Sequence, residues 1–293
     1  MCKAIERVKS GRWRQRVSIN EICQSHGISR QAYYKGIHHH RQEVLEAEII
    51  LQYIQNIRKR MPNIGTRKIH YLLQEKSEEI GLSVGRDYLF ALLGERDLLI
   101  HPQKKYIRTT NSQHHFRIYH NLIKGVDLQK FQLVVSDITY LQLLKGFCYL
   151  ALITDLYSRK IIGYDVSDSL SIEGSLRALR VASKHRIPRI LIHHSDRGVQ
   201  YCSHAYVELL NSWGSQISMA EQGNPYENAV AERVNGILKI EFLLDQVFSS
   251  WSHAQKATDE AIRVYNEERP HSSLGMRTPH QKYREYQEMT QTL

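Results

Sequence analysis

Between Leu133 and Met219 short β-rich runs alternate with helical ones, in an order that leaves few folds open. Leu133-Val134-Val135-Ser136-Asp137-Ile138-Thr139-Tyr140-Leu141 is rich in β-branched residues and reads as a strand with an aspartate in its middle. Gly146 turns the chain into a second strand over 147–155, and Ser158-Arg159 turn it into a third over 160–166. A helix is predicted over about 171–184, a fourth strand over 189–194, a helix over 203–213 and a short fifth strand over 216–219. A last helix lies within 223–242, entered through the loop signature Gly223-Asn224-Pro225. The order β-β-β-α-β-α-β-α describes an α/β core, a five-stranded sheet flanked by helices.

Three acids in this core stand in places that need explaining. Asp137 is mid-strand, where aspartate is normally unwelcome. Asp196 follows the fourth strand, at the edge where α/β sheets hold ligands. Because the first and fourth strands are neighbours in such a sheet, the two carboxylates can share one site. The last helix offers a third, Glu232, with Glu227 competing for the place. Three hard carboxylate oxygens from strand, strand end and helix suit Mg²⁺. Two such ions can activate an attacking oxygen and stabilise a leaving one in phosphodiester chemistry. Each acid also has an ordinary reading, as an edge charge, a turn residue or a solvated helix acid. His193 and His194 read as packing or DNA-contact residues, and Asp155 as a turn or ion-pair residue.

The flanks are helical and basic. Ser18 and Glu21 form a capping-box pattern, Gly27 permits a tight turn, and Ser29 caps a second short helix. This is a helix-turn-helix pattern whose second helix would present Arg30, Gln31, Tyr33, Tyr34 and Lys35 to DNA. Lys9, Arg12, Arg14 and Arg16 before it suit phosphate contact. His38-His39-His40 reads as a linker, with no partner set for a metal, before a connecting helix over 41–59. Pro62 and Gly65 then break the chain into a second helical hairpin over 61–100. The net charge of +10 is concentrated, since residues 1–60 hold 12 Lys/Arg against 5 acids and residues 101–131 hold 6 against 1. Residues 132–241 balance at 11 and 11, so basic arms flank a neutral core, as a polyanion-binding protein requires. No apolar run reaches transmembrane length, and four scattered cysteines without a CxxC pair suit a reducing, cytoplasmic setting. The expected domains are 1–60, 61–100, a basic linker over 101–131, a core over 132–242 and a helical extension over 243–293.

Spacing carries the reading further. Between Asp196 and Glu232 lie 35 residues, and Lys239 follows seven beyond the glutamate. The pattern resembles the DDE superfamily of transposases and retroviral integrases, and the resemblance selects Glu232, since Glu227 misses the spacing by five. Ser136-Asp137-Ile138-Thr139-Tyr140, His194-Ser195-Asp196-Arg197-Gly198-Val199-Gln200-Tyr201 and Gly223-Asn224-Pro225-Tyr226-Glu227-Asn228-Ala229 are similar to the insertion-sequence-three family. So are Tyr265-Asn266, Arg269-Pro270-His271, Leu274-Gly275 and Thr278-Pro279, and, weakly, Gly65-Thr66-Arg67-Lys68-Ile69. Two positions depart from the usual pattern, Val134 for a tryptophan and Glu227 for an aspartate.

The resemblance implies an RNase H-like core in which Asp137, Asp196 and Glu232 bind two Mg²⁺ or Mn²⁺ ions. It implies cleavage of element ends and transfer of the released 3′-OH to target double-stranded DNA, with Lys239 at the DNA. Tyr226 and Asn228, on the loop before Glu232, would approach the bound end. It further implies a homo-multimer on paired ends and a separate or frameshift-fused first-frame partner. A DNA-binding regulator and an RNase H-like nuclease without strand transfer are the competing readings.

Overall fold

The computed structural model describes residues 18–100, 115–123, 131–185, 190–221 and 228–291. Lys9, Arg12, Arg14, Arg16, Tyr226 and Glu227, and most of the basic linker, lie outside them. The chain forms two compact units, one running to Asn56 with Ser77–Ser83 added, the other comprising Ile57–Lys76 and everything from Val84.

In the first unit α1 (Ile19–Ser25) is closed by a full capping box between Ser18 and Glu21. Gly27 takes a φ of +64°, which glycine adopts without a Cβ penalty. The Ser29 hydroxyl then accepts from Ala32 N at 3.1 Å to start α2 (Arg30–Arg60). Ile22, Cys23 and Tyr33 make the small core of this hairpin. Two expectations need correction. The second helix is not short, because the histidine run and the connecting helix continue it into one helix of 31 residues. No proline interrupts the stretch, Gly36 alone costs only about 1 kcal/mol, and Glu43 lies within 3.6 Å of both His39 and His40. Tyr33 does not face outward, being buried against α1 while Arg30, Gln31, Tyr34 and Lys35 are exposed. A short helix, α4 (Ser77–Ile80), completes the described part of this unit.

The second unit contains α3 (Thr66–Glu75) and α5 (Arg86–Glu95) and then the sheet. Its strands are β1 (Phe131–Gln142), β2 (Phe147–Asp155), β3 (Ile161–Ser167), β4 (Ile190–Ser195) and β5 (Gln216–Met219). They lie in the order β3-β2-β1-β4-β5, with β1–β2 and β2–β3 antiparallel, and β1–β4 and β4–β5 parallel. This is the expected mixed sheet of an integrase-core fold. β1 is central and its residues Leu133 to Ser136 are all buried, as a strand covered on both faces requires. The helices α6 (Ile172–Ser183), α7 (Val199–Cys202), α8 (His204–Ser212) and α9 (Ala229–Glu241) complete the core.

α6 lies so close to β3 that Gly163 is obligatory. A Cβ there would come within 2.3 Å of the Ala178 carbonyl oxygen. Gly163→Ala is therefore expected to cost about 1–3 kcal/mol through overpacking, read as a lower melting temperature in thermal denaturation.

The extension after residue 242 is not a loose tail. In α10 (Trp251–Glu267) the Asn266 amide pairs with both Ile161 N and Ile161 O at 2.9 Å, occupying backbone groups of the edge strand β3. In α11 (Pro279–Gln291) Tyr286 donates to Phe131 O at 2.8 Å and stacks on Tyr157. None of the helices among the described residues is long and apolar enough to cross a membrane.

Candidate active site

The parallel register of β1 and β4 pairs Val135 with His194 and Ser136 with Ser195. Continued by one residue, it sets Asp137 beside Asp196, at a strand separation of about 4.8 Å. Asp196 closes the loop after β4 by accepting from Gly198 N through Oδ1 at 2.9 Å. Asp137 accepts from Ile138 N at 2.9 Å on Oδ1 and from the Asn235 amide at 2.7 Å on Oδ2. Asn235 sits on α9 three residues beyond Glu232, nearly one turn on, so this bond ties the helix bearing the third acid to the first.

Electrostatics mark the same place. Asp137 keeps some contact with solvent, yet burial pushes its carboxyl up to about 7. Neighbouring Asp196 adds to the rise, the bonds from Asn235 and Ile138 oppose it, and Glu232 contributes least. Tyr201 is 3% exposed, and its hydroxyl has no hydrogen-bond partner among the described residues. Burial, then Tyr206, Asp137 and Asp196, hold that phenol neutral.

Glu232 stands further off. It is exposed on α9, and among the described residues no three His, Cys, Asp or Glu side chains converge closely enough to hold a metal ion as they stand. The structure thus brings Asp137 and Asp196 together and leaves the glutamate on a helix fastened beside them. The chemistry of the donors still fits a hard divalent cation. All three are carboxylates, and a cation would offset the burial, and after it the repulsion from Asp196, that raise the Asp137 carboxyl.

The remaining residues fall into place around this centre. Lys239 is half-buried with its Nζ 4.3 Å over the Tyr140 ring; burial lowers its pKa, while Asp137 and Asp245 raise it. Asn228 is buried and donates to Ser136 O at 3.4 Å. His193 is a packing residue, with Nε2 2.7 Å from the Ser136 hydroxyl and 2.9 Å from that of Tyr206. Burial and then His194 bring its pKa down to about 3, so it is neutral. Asp155 is a turn residue, its Oδ1 accepting from Ser158 N at 2.8 Å and from the Ser158 hydroxyl at 2.6 Å. Sequence reasoning overlooked Asn235 and Tyr201. The signal for Asn235 was an amide one turn beyond Glu232 among Val234, Ile237 and Leu238, which are buried.

The chain as a whole is similar to known proteins. The chain matches the family "Integrase core domain" over residues 127–225, and a second family of that description over 213–279. It is 35% identical over 275 residues to the "Insertion element IS600 uncharacterized 31 kDa protein" of Shigella sonnei, covering 92% of this chain and 99% of that one. The chain belongs to the IS3 family of insertion-sequence transposases. The "Transposase for insertion sequence element IS629" of Shigella sonnei is 29% identical over 286 residues, covering 93% of this chain and 94% of that one. Among solved structures, the catalytic core domain of BIV integrase aligns with 54% of this transposase-family chain and 96% of its own, at 20% identity and a TM-score of 0.42.

If Asn235 orients Asp137, Asn235→Ala should lower the rate of DNA joining about 10- to 100-fold with little change in DNA binding. Single-turnover joining assays beside a filter-binding titration check this outcome.

Proposed function

We propose that the chain cuts insertion-sequence ends and transfers the released 3′-OH to target DNA, with Asp137, Asp196 and Glu232 holding two Mg²⁺ or Mn²⁺ ions. The observation that carries this reading is the place of Asp137 and Asp196, each one residue beyond the last register pair of β1 and β4, with α9 tied to Asp137 through Asn235. When bound, divalent ions supply activation of the attacking oxygen and neutralisation of charge at the leaving one. The chain's own residues do the rest. Gly198 N and Asn235 hold the carboxylates of Asp196 and Asp137 in fixed directions. Glu232 closes the site by turning its flexible side chain inward from α9. Lys239, held over Tyr140, faces DNA phosphate on the same helix. No covalent protein–DNA bond is needed, because water and then the 3′-OH serve as nucleophiles in turn.

The rest of the chain binds and arranges the DNA. Arg30, Gln31, Tyr34 and Lys35 are the exposed face offered to the element end, and the proposed segments 1–60, 61–100 and 101–131 lead to the core over 132–242 and the extension over 243–293. Tyr226 and Asn228 approach the DNA end when it is seated. The protein acts in the bacterial cytoplasm as a homo-multimer on paired ends, alone or with a first-frame partner.

Incubating the full chain with pre-cleaved end DNA, target DNA and Mg²⁺ tests the reading. Joined products are expected. Hydrolysis without joining would assign a nuclease, and binding with neither would assign a regulator.

A further inference from the structure

The C-terminal end of α9 is gripped by residues from distant parts of the second unit. The Glu241 carboxylate accepts from Arg269 Nε and Nη2, both at 2.7 Å, and from Lys68 Nζ at 2.9 Å. Arg269 is 2% exposed at its side chain, Glu241 13% and Lys68 14%, so the cluster is nearly closed to water. Two carbonyls in the last turn are also taken, Glu241 O by Asn63 N at 3.0 Å and Ile240 O by the Asn63 amide at 2.9 Å. The last carbonyls of a helix have no partners within it, so this cap is supplied from outside. Lys68 belongs to the stretch Gly65-Thr66-Arg67-Lys68-Ile69 and Arg269 to Arg269-Pro270-His271, neither of which the proposed chemistry uses.

A helix transmits such a grip because it is stiff. Asn235, bonded to Asp137, is a fulcrum on α9. Glu241 lies six residues beyond it, about 9 Å along the axis, and Glu232 three residues before it, about 4.5 Å. A sideways shift at Glu241 therefore moves Glu232 by about half as much in the opposite sense. We propose that Glu241 is a positioning residue: clasped by Lys68 and Arg269, it sets the tilt of α9 and with it the reach of Glu232 toward Asp137 and Asp196. The proposal rests on the assignment of Glu232 to the reaction. Charge supports the clasp, since burial raises the pKa of Glu241 but Arg269 and Lys68 more than offset it and hold the acid ionised.

The test uses the full chain carrying Glu241→Gln, and Lys68→Met as a milder variant that leaves the Arg269–Glu241 pair in place. Joining of pre-cleaved ends is measured for kcat and KM, and amide hydrogen exchange is followed along α9. Glu241→Gln is expected to lower kcat about 10- to 100-fold, with KM for the end DNA within about twofold. Exchange in the last two turns of α9 is expected to quicken about tenfold while β1 and β4 stay protected. Lys68→Met should shift both readouts the same way but less. Wild-type kcat and wild-type exchange in both variants overturn the proposal, and so does exchange quickened uniformly through the sheet, which marks a purely structural residue. Should the wild type join no DNA, the proposed function fails separately, and unchanged exchange in α9 still overturns the grip.

Discussion

Asp196→Asn is expected to lower joining of pre-cleaved ends about 1000-fold or more, while binding of the same DNA stays within about twofold. An amide retains the oxygen that accepts from Gly198 N, so the loop after β4 keeps its shape. It lacks the negative charge that a hard cation requires. Loss of the several kcal/mol that such a cation contributes to a phosphodiester transition state corresponds to roughly three powers of ten in rate. A gel assay of joined product over time, beside an electrophoretic binding titration, reads both quantities. Undiminished joining in Asp196→Asn would remove this residue from the site.

The second large effect concerns stability and pH. The carboxyl of Asp137 sits at about 7 in the fold, against an ordinary 3.8. Between those values the folded chain holds a proton that the unfolded chain has released, so stability falls as pH rises from about 4 to about 7 and stays lowered above it. The displacement amounts to on the order of 2–4 kcal/mol, the lower end applying because the carboxyl keeps some contact with water. Asp155, pushed up to about 6 chiefly by burial, adds a loss of the same sign in wild type and variant alike. Asp137→Asn removes one contribution and not the other. At pH 8 without divalent cations the variant should therefore melt above wild type by several degrees, with the gap closing toward pH 4. Adding Mn²⁺ at pH 8 should raise the melting temperature of wild type and leave the variant nearly unmoved. Differential scanning calorimetry across this range checks the sign, and a variant less stable than wild type at pH 8 would contradict it.

Much of the core was legible because its signals are local. β2 and β5 begin and end where the turn residues and β-branched runs put them, and the strand order sets β1, which carries Asp137, beside β4, which Asp196 follows. What escaped was set by tertiary packing. Residues 243–293 read as a helical extension, yet the bonds of Asn266, Trp251 and Tyr286 to the sheet come from side-chain polar atoms that leave no periodic trace. Tyr33 carries the same aromatic signature as exposed Tyr34, and only the angle between α1 and α2 decides which of them is buried. The continuity of α2 through three histidines was hidden for a different reason, since composition suggested a linker where nothing breaks a helix. Asn235 and the Lys68–Glu241–Arg269 cluster bring together residues 98, 173 and 28 apart in sequence. Pairings at such separations are invisible to patterns that run along the chain.

The central claim is that Asp137, Asp196 and Glu232 together hold divalent cations at the DNA end. Calorimetric titration of Mn²⁺ into the full chain bound to pre-cleaved end DNA at pH 8 tests it most directly. Wild type is expected to bind two ions, and Asp137→Asn, Asp196→Asn and Glu232→Gln are each expected to lose a site or weaken about tenfold or more. Identical stoichiometry and affinity in wild type and all three variants would contradict the assignment.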